Sequence, residues 1–143
     1  MTILNKDEQL IALLRQNARM PVSKIARQLN VSRTAAQVRL EKLERTGAID
    51  GYTVRLSSAF QKNRVRALVM IKLPPSDRVS VEAALAKIPA LQTLHSISGI
   101  YDLAAEISAP SVGELDQVID AIGQLDGVAD TQSSIILSTK LER

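Results

Sequence analysis

Arg33, Thr34 and Gln37, followed by Arg39 and Lys42, place hydrogen-bonding groups and fixed positive charges within one short stretch of the chain. Base edges are read by hydrogen bonds and methyl contacts, and phosphates are held by cations, so this stretch has groups that suit a nucleic acid. A second group is Ser98-Gly99-Ile100-Tyr101-Asp102. Glycine there suits a tight hairpin connection, which needs positive φ. Asp102 can accept backbone N–H bonds within such a turn or hold an ammonium group in a pocket. His95 is the sole histidine and there is no cysteine, so an ordinary zinc site cannot be assembled, and His95 reads as a packed or hydrogen-bonded strand residue. No nucleophile–base pair, carboxylate dyad or glycine-rich phosphate loop is present, which argues against an enzyme.

The elements that must position these residues follow from periodicity. Leu10, Ile11 and Leu14 recur at helical spacing over Asp7 to Gln16, with Asn5 as cap and Asp7 and Glu8 in the first turn. Asn17 to Pro21 interrupts the pattern, and Pro21 suits the first position of a second helix that runs to Leu29 and buries Val22, Ile25, Ala26 and Leu29. Asn30-Val31-Ser32 is a tight turn whose serine caps a third helix, Arg33 to about Thr46, ended by Gly47. At 100° per residue Ala36, Leu40 and Leu43 face inward, Thr34, Gln37, Val38, Glu41 and Arg45 outward, and Arg33, Arg39, Lys42 and Glu44 flank the buried stripe.

Ala48 to Leu56 alternates well enough for a short strand pair or wing, and Ser57 to Arg66 reads as linker. Ala67 to Leu73 is a strand ended by Pro74-Pro75. A helix capped by Ser76 or Asp77 then runs to about Lys87, with Val79, Val81, Leu85 and Ile88 as candidate buried positions. Two strands, Leu91–Ser98 and Tyr101–Ser108, flank Gly99-Ile100. A helix from Val112 to Leu125 buries Leu115, Val118, Ile119 and Ile122, and after Gly127 a last strand lies within Val128 to Lys140. The order βαββαβ predicts a ferredoxin-like α+β sandwich, an antiparallel sheet with two helices on one face. The sheet's other face then needs a cover, and a second copy of the chain is the obvious candidate, so a dimer is expected.

Charge separates the halves. Residues 1–66 hold thirteen Lys and Arg against five acids, net +8, and the remainder holds five against ten, net −5. Such asymmetry suggests a polyanion-binding half beside a half with another task. With one Phe, two Tyr and no Trp, the base-stacking devices of single-strand binders are poorly supplied, and double-stranded DNA is the better partner. The flanking cations have a plainer use as solvated surface charges, but the preceding helix, the turn and the basic half together favour DNA reading. The polar start resembles no signal peptide and no apolar run is long enough to span a membrane, so a cytoplasmic, nucleoid-associated location is expected.

The string Asp7 … Leu10-Ile11 … Leu14 … Asn17-Ala18-Arg19 … Ile25-Ala26 … Leu29-Asn30-Val31-Ser32 … Arg39 … Leu43-Glu44 … Gly47-Ala48-Ile49 … Gly51-Tyr52 resembles the Lrp/AsnC family of "feast/famine" regulators. Leu73-Pro74, Ser98 to Asp102 and Thr131 to Ile135 continue the match over essentially the whole chain. The resemblance implies a three-helix, winged helix-turn-helix over residues 1–51, a linker strand or hinge over 52–66, and a RAM-type domain over 67–143 that oligomerises and binds an effector. It implies base reading by Ser32, Arg33, Thr34, Gln37 and Val38, with Arg39 and Lys42 nearer the DNA backbone. It also implies an effector site of Ser98, Gly99, Tyr101 and Asp102, completed by Thr131 and Ser133. The effector would be a free amino acid held where dimers meet in tetramers or octamers, with no cofactor and no metal. Two departures stand out: Leu4-Asn5 replaces a common Leu-Asp pair, and Ile100 occupies a position often acidic in the family. Two other readings are a tetrapyrrole (siroheme-type) decarboxylase built on the same fold, and an architectural DNA-compacting protein without effector. The single histidine and the cationic third helix weigh against the decarboxylase.

Overall fold

The computed structural model describes residues 5–57, 59–61 and 63–142, and the chain divides into two compact units, residues 1–55 and 56–143. In the first unit three helices, α1 (Lys6–Gln16), α2 (Val22–Leu29) and α3 (Arg33–Arg45), enclose a small core of Leu10, Leu14, Ile25, Ala26, Leu29, Ala36 and Leu43. Helices α1 and α3 begin where a local side chain accepts from an N–H of the first turn. Asn5 and Glu8 make a reciprocal capping box, each side chain accepting from the other's backbone N–H at 2.8 Å. Ser32 Oγ accepts from Ala35 N at 3.1 Å and starts α3. Pro21 is one residue earlier in its helix than expected. It keeps extended backbone at φ −61 and ψ 142, and its carbonyl accepts from Lys24 and Ile25, which makes it the cap and Val22 the first helical residue.

Asn30 turns the chain between α2 and α3 in the left-handed conformation, φ 54 and ψ 49, a region that asparagine tolerates better than other residues with a Cβ. Gly47, at φ 75, takes the same role beyond α3. The expected strand pair or wing over residues 48–56 does not form: that stretch carries no strand ladder. Only Ile49 of its apolar residues packs on the helical core, whereas Val54 and Leu56 are exposed, so alternation there had no second strand to bury against.

The second unit is a four-stranded antiparallel sheet, β1 (Val65–Lys72), β2 (Leu91–Ser96), β3 (Leu103–Ala109) and β4 (Asp130–Ile136), in spatial order β2-β3-β1-β4. Helices α4 (Arg78–Leu85) and α5 (Val112–Gly123) supply the second layer, α4 after a 3₁₀ turn at Pro75–Asp77. This is the ferredoxin-like split βαβ order. Ala67, Val69 and Ile71 of β1 and Leu103, Ala105 and Ile107 of β3 alternate onto the buried face, where Val81, Leu85, Leu115 and Ile122 meet them. Burial of each large aliphatic side chain contributes roughly 1.5–3 kcal/mol.

Several boundaries move. β1 starts at Val65, inside the expected linker, and the loop after β2 is longer than a two-residue hairpin: it runs from Ile97 to Asp102 and is closed by Ile97 N donating to Asp102 O at 3.0 Å. Val79 is 80% exposed, against the expectation of burial. It lies about 200° around the helix from Val81, whose direction, with Leu85, is set by the sheet. Val118 and Ile119 are half-buried at the rim of the core. Gly127 has φ 93 and sits so close to α4 that an added Cβ would stand 2.7 Å from Asp77 Cβ and 3.0 Å from Val81 Cγ2. Glycine is therefore required there by space as well as by conformation.

Candidate nucleic-acid interface and ligand site

The basic unit presents α3 outward from the turn at Asn30. Ser32, Arg33, Thr34, Gln37, Val38 and Lys42 are all exposed, and Val38, at 58% exposure, is an apolar group left in solvent on a polar face. Gln37 Nε2 donates to Glu41 Oε1 at 2.7 Å, one turn further along the same face. Ser32 has its hydroxyl oxygen engaged as the cap. Arg39 is half-buried, and its guanidinium donates to Asp7 Oδ1 of α1 at 2.7 Å, so it braces two helices instead of standing free. Lys6 Nζ donates to Leu29 O, where a cation satisfies the carbonyl end of α2.

Behind α3, Tyr52 folds back onto the helix and its hydroxyl donates to Glu44 Oε1 at 2.7 Å. Desolvation, then the Glu44 hydrogen bond and the Glu44 charge, push the Tyr52 phenol from 10.0 up to about 12. Neither this contact nor the Arg39–Asp7 pair was visible in the sequence, since both join residues whose proximity comes only from the packed fold.

In the second unit the loop residues divide by role. Gly99 has φ 123 with nothing within 4 Å of a built Cβ, so it serves the turn and leaves open space beside it. Ser98 is exposed, and Tyr101 and Asp102 are half-buried. Asp102 Oδ2 accepts from Leu73 N at 3.0 Å, and Asp102 N donates to Ile71 O at 2.9 Å, so this carboxylate ties the loop to the end of β1 and not merely to its own turn. Tyr101 Oη donates to Gln132 Oε1 at 3.1 Å. Gln132 was not among the expected ligand residues, although it lies between two that were.

The register explains this. Thr131 pairs with Ile71 and Ser133 with Val69, so both side chains take the helix-covered face of β4, with Thr131 Oγ1 3.8 Å from where a Cβ on Gly123 would stand. Gln132 pairs with Met70 on the opposite face, where Tyr101 reaches it. Tyr101 and Gln132 are thus brought together, while Thr131 and Ser133 belong to the other side of the edge strand. His95 is exposed on β2 opposite Ala104. Among the described residues no cluster of His, Cys, Asp or Glu could hold a metal ion, and no helix is long and apolar enough to cross a membrane.

Two family models match in the order of the two units: the AsnC-type helix-turn-helix domain over residues 5–44 and the Lrp/AsnC ligand binding domain over residues 66–143. The chain belongs to the Lrp/AsnC family. Among its relatives is the HTH-type transcriptional regulator LysM of Saccharolobus solfataricus, 33% identical over 134 residues that span 93% of this chain and 92% of LysM. The LysM protein of Sulfurisphaera tokodaii is 31% identical over 132 residues, 92% of each chain. Of solved structures, AsnC of E. coli superposes with a TM-score of 0.87 at 26% identity, covering 100% of this chain and 97% of AsnC. A transcriptional regulator of Neisseria meningitidis solved as an L-Met complex shares the fold, with a TM-score of 0.87 at 21% identity over 99% of this chain and 94% of that one. This Lrp/AsnC member is therefore a DNA-binding transcriptional regulator with a ligand-binding domain, and not an enzyme.

Proposed function

We propose that the chain works as a dimer, or as a tetramer or octamer built from such dimers, that sets two copies of α3 into successive major grooves ~34 Å apart and reads a pseudo-palindrome. The observation that carries this reading is the solvated outer face of α3, where Arg33, Thr34, Gln37 and Val38 stand exposed after a left-handed turn at Asn30. Arg33 and Thr34 open the helix, where its N-terminal end would meet base edges, and Lys42 flanks it toward phosphate. Pairing through the second unit is supported by its uncovered sheet face. There Leu68 is 43% exposed and Met70, Ala104 and Ile136 are half-exposed, apolar surface that a second copy would cover. DNA as partner implies the compartment of the chromosome, hence a cytoplasmic, nucleoid-associated protein.

The second unit would bind a free amino acid near Ser98, Gly99, Tyr101 and Asp102, where dimers meet, and adjust transcription of genes of amino-acid metabolism or transport. Support comes from the open space beside Gly99 and from the adjacent Asp102 carboxylate, which has one oxygen engaged with Leu73 N and another available for an α-ammonium group. The Lrp/AsnC ligand binding domain matched here, and the L-Met complex of the same fold, are in keeping with a small zwitterion. Thr131 and Ser133 would serve such a site only from the helix-covered side of β4, and Gln132 is the residue of that strand nearest Tyr101 in bonding.

A thermal-shift screen of the twenty amino acids tests the ligand: one present at a hundred times its Kd should stabilise the protein by ~2.7 kcal/mol. No stabilisation by any of them would overturn the amino-acid reading. Gly99→Asp, which fills the open space, is expected to remove the shift and leave DNA affinity nearly intact.

A further inference from the structure

Gln37 and Glu41 are the one side-chain pair on the outward face of α3 that hydrogen-bond to each other among the described residues, Gln37 Nε2 donating to Glu41 Oε1 at 2.7 Å. A carboxylate on a face meant for DNA is unfavourable beside phosphates, so its position needs a reason other than affinity. From this geometry we infer that Glu41 is a positioning residue for base selection: it holds the Gln37 amide so that Gln37 selects adenine and refuses guanine. The inference rests on the reading that α3 lies in the major groove.

The choice of base follows from the number of hydrogen-bonding groups on Gln37 and Glu41. An amide has two N–H donors and one carbonyl acceptor, and an ionised carboxylate only accepts. With one N–H spent on Glu41, Gln37 keeps one donor and one acceptor. Adenine offers N7 as acceptor and N6–H as donor, which this remaining pair matches bidentately. Guanine offers two acceptors, N7 and O6, and would need both N–H donors of Gln37. While Glu41 holds one of them, guanine O6 would face the Gln37 carbonyl oxygen. Val38 beside it, 58% exposed, has no hydrogen-bonding group and suits a thymine methyl, the partner of adenine, in the same groove.

Two substitutions separate positioning from simple charge. Glu41→Ala and Glu41→Gln both remove the anion, and both should raise affinity for every duplex, but only Glu41→Gln keeps a carbonyl that accepts from Gln37. The experiment is selection of duplexes from a randomised pool by the full-length protein, followed by fluorescence anisotropy on the selected site and on copies with each A·T pair replaced by G·C. The wild type is expected to prefer adenine over guanine at one position per half-site on the order of tenfold. Gln37→Ala should erase that preference, Glu41→Ala should reduce it to a few-fold or less, and Glu41→Gln should retain it. An unchanged preference in Glu41→Ala overturns the inference, as does equal loss in Glu41→Ala and Glu41→Gln. So does loss of a preference for cytosine instead, which would mean that Glu41 contacts a base N4 amine directly. If all four proteins bind every duplex equally, base reading by α3 itself fails, a result distinct from the others.

Discussion

Arg39 of α3 and Asp7 of α1 are joined by an ion pair 2.7 Å long, each side chain about a third exposed. A cation that by position flanks the outer face of α3 is thus held by the protein's own carboxylate, and the pair ties α3 to α1. Surface pairs of this kind contribute ~0.2–1 kcal/mol. Asp7→Asn is expected to lower the denaturation midpoint slightly and to leave the salt dependence of DNA binding unchanged. Lys42→Ala should instead reduce the slope of log affinity against log salt by about 1, the signature of a lost phosphate contact. Anisotropy titrations at several salt concentrations distinguish the two.

Gly127→Ala tests the packing of the second unit. The substitution meets Asp77 Cβ at 2.7 Å and Val81 Cγ2 at 3.0 Å, with φ at 93, so both steric overlap and backbone strain oppose it. A loss of at least ~2 kcal/mol in urea denaturation is expected. Gly99→Ala has unfavourable φ but nothing within 4 Å, and it should lose distinctly less.

Tyr52 carries a pH dependence. Its phenol is raised from 10.0 to about 12, first by desolvation and then by Glu44. A raised folded pKa means that the unfolded chain releases its proton first, so the stabilisation is fully present below pH 10 and is lost as pH rises toward about 12. In a Tyr101→Phe background, phenolate absorbance should report a single transition near 12. Glu44→Gln should move that transition downward.

Asp102 has two roles that substitution can separate. Asp102→Ala leaves Leu73 N without its partner and should cost about 1 kcal/mol of stability. Asp102→Asn keeps an acceptor for Leu73 N but loses the charge. It is expected to fold normally, bind DNA like the wild type and fail to respond to an amino acid in the thermal-shift screen. A wild-type response from Asp102→Asn would contradict an ammonium site there.

Much of this architecture was legible because its signals are local. Leu10 and Leu14, or Ile25 and Leu29, mark buried faces one turn apart, and Asn5, Ser32 and Gly47 mark helix ends within three residues of the groups they serve. The alternation of Ala67, Val69 and Ile71 likewise shows which face of β1 is covered. What was illegible depends on partners distant in the chain. The 48–56 stretch alternates but finds no ladder partner, and the polar β4 carries no hydrophobic pattern to say that Thr131 and Ser133 face the helices while Gln132 faces Tyr101. Arg39 looks like any other surface cation until α1 brings Asp7 to it.

Regulation by this protein depends most on α3 being offered in pairs to duplex DNA. The direct measurement is anisotropy of a labelled duplex carrying two selected half-sites about one helical turn apart, titrated with the full chain across a range of salt, with stoichiometry read at saturation. Two chains per duplex, affinity that falls linearly with salt on logarithmic axes, and a large loss of affinity in Arg33→Ala are the expected results if α3 reads DNA in pairs. Failure to bind at low ionic strength, or an affinity indifferent to salt, would contradict it.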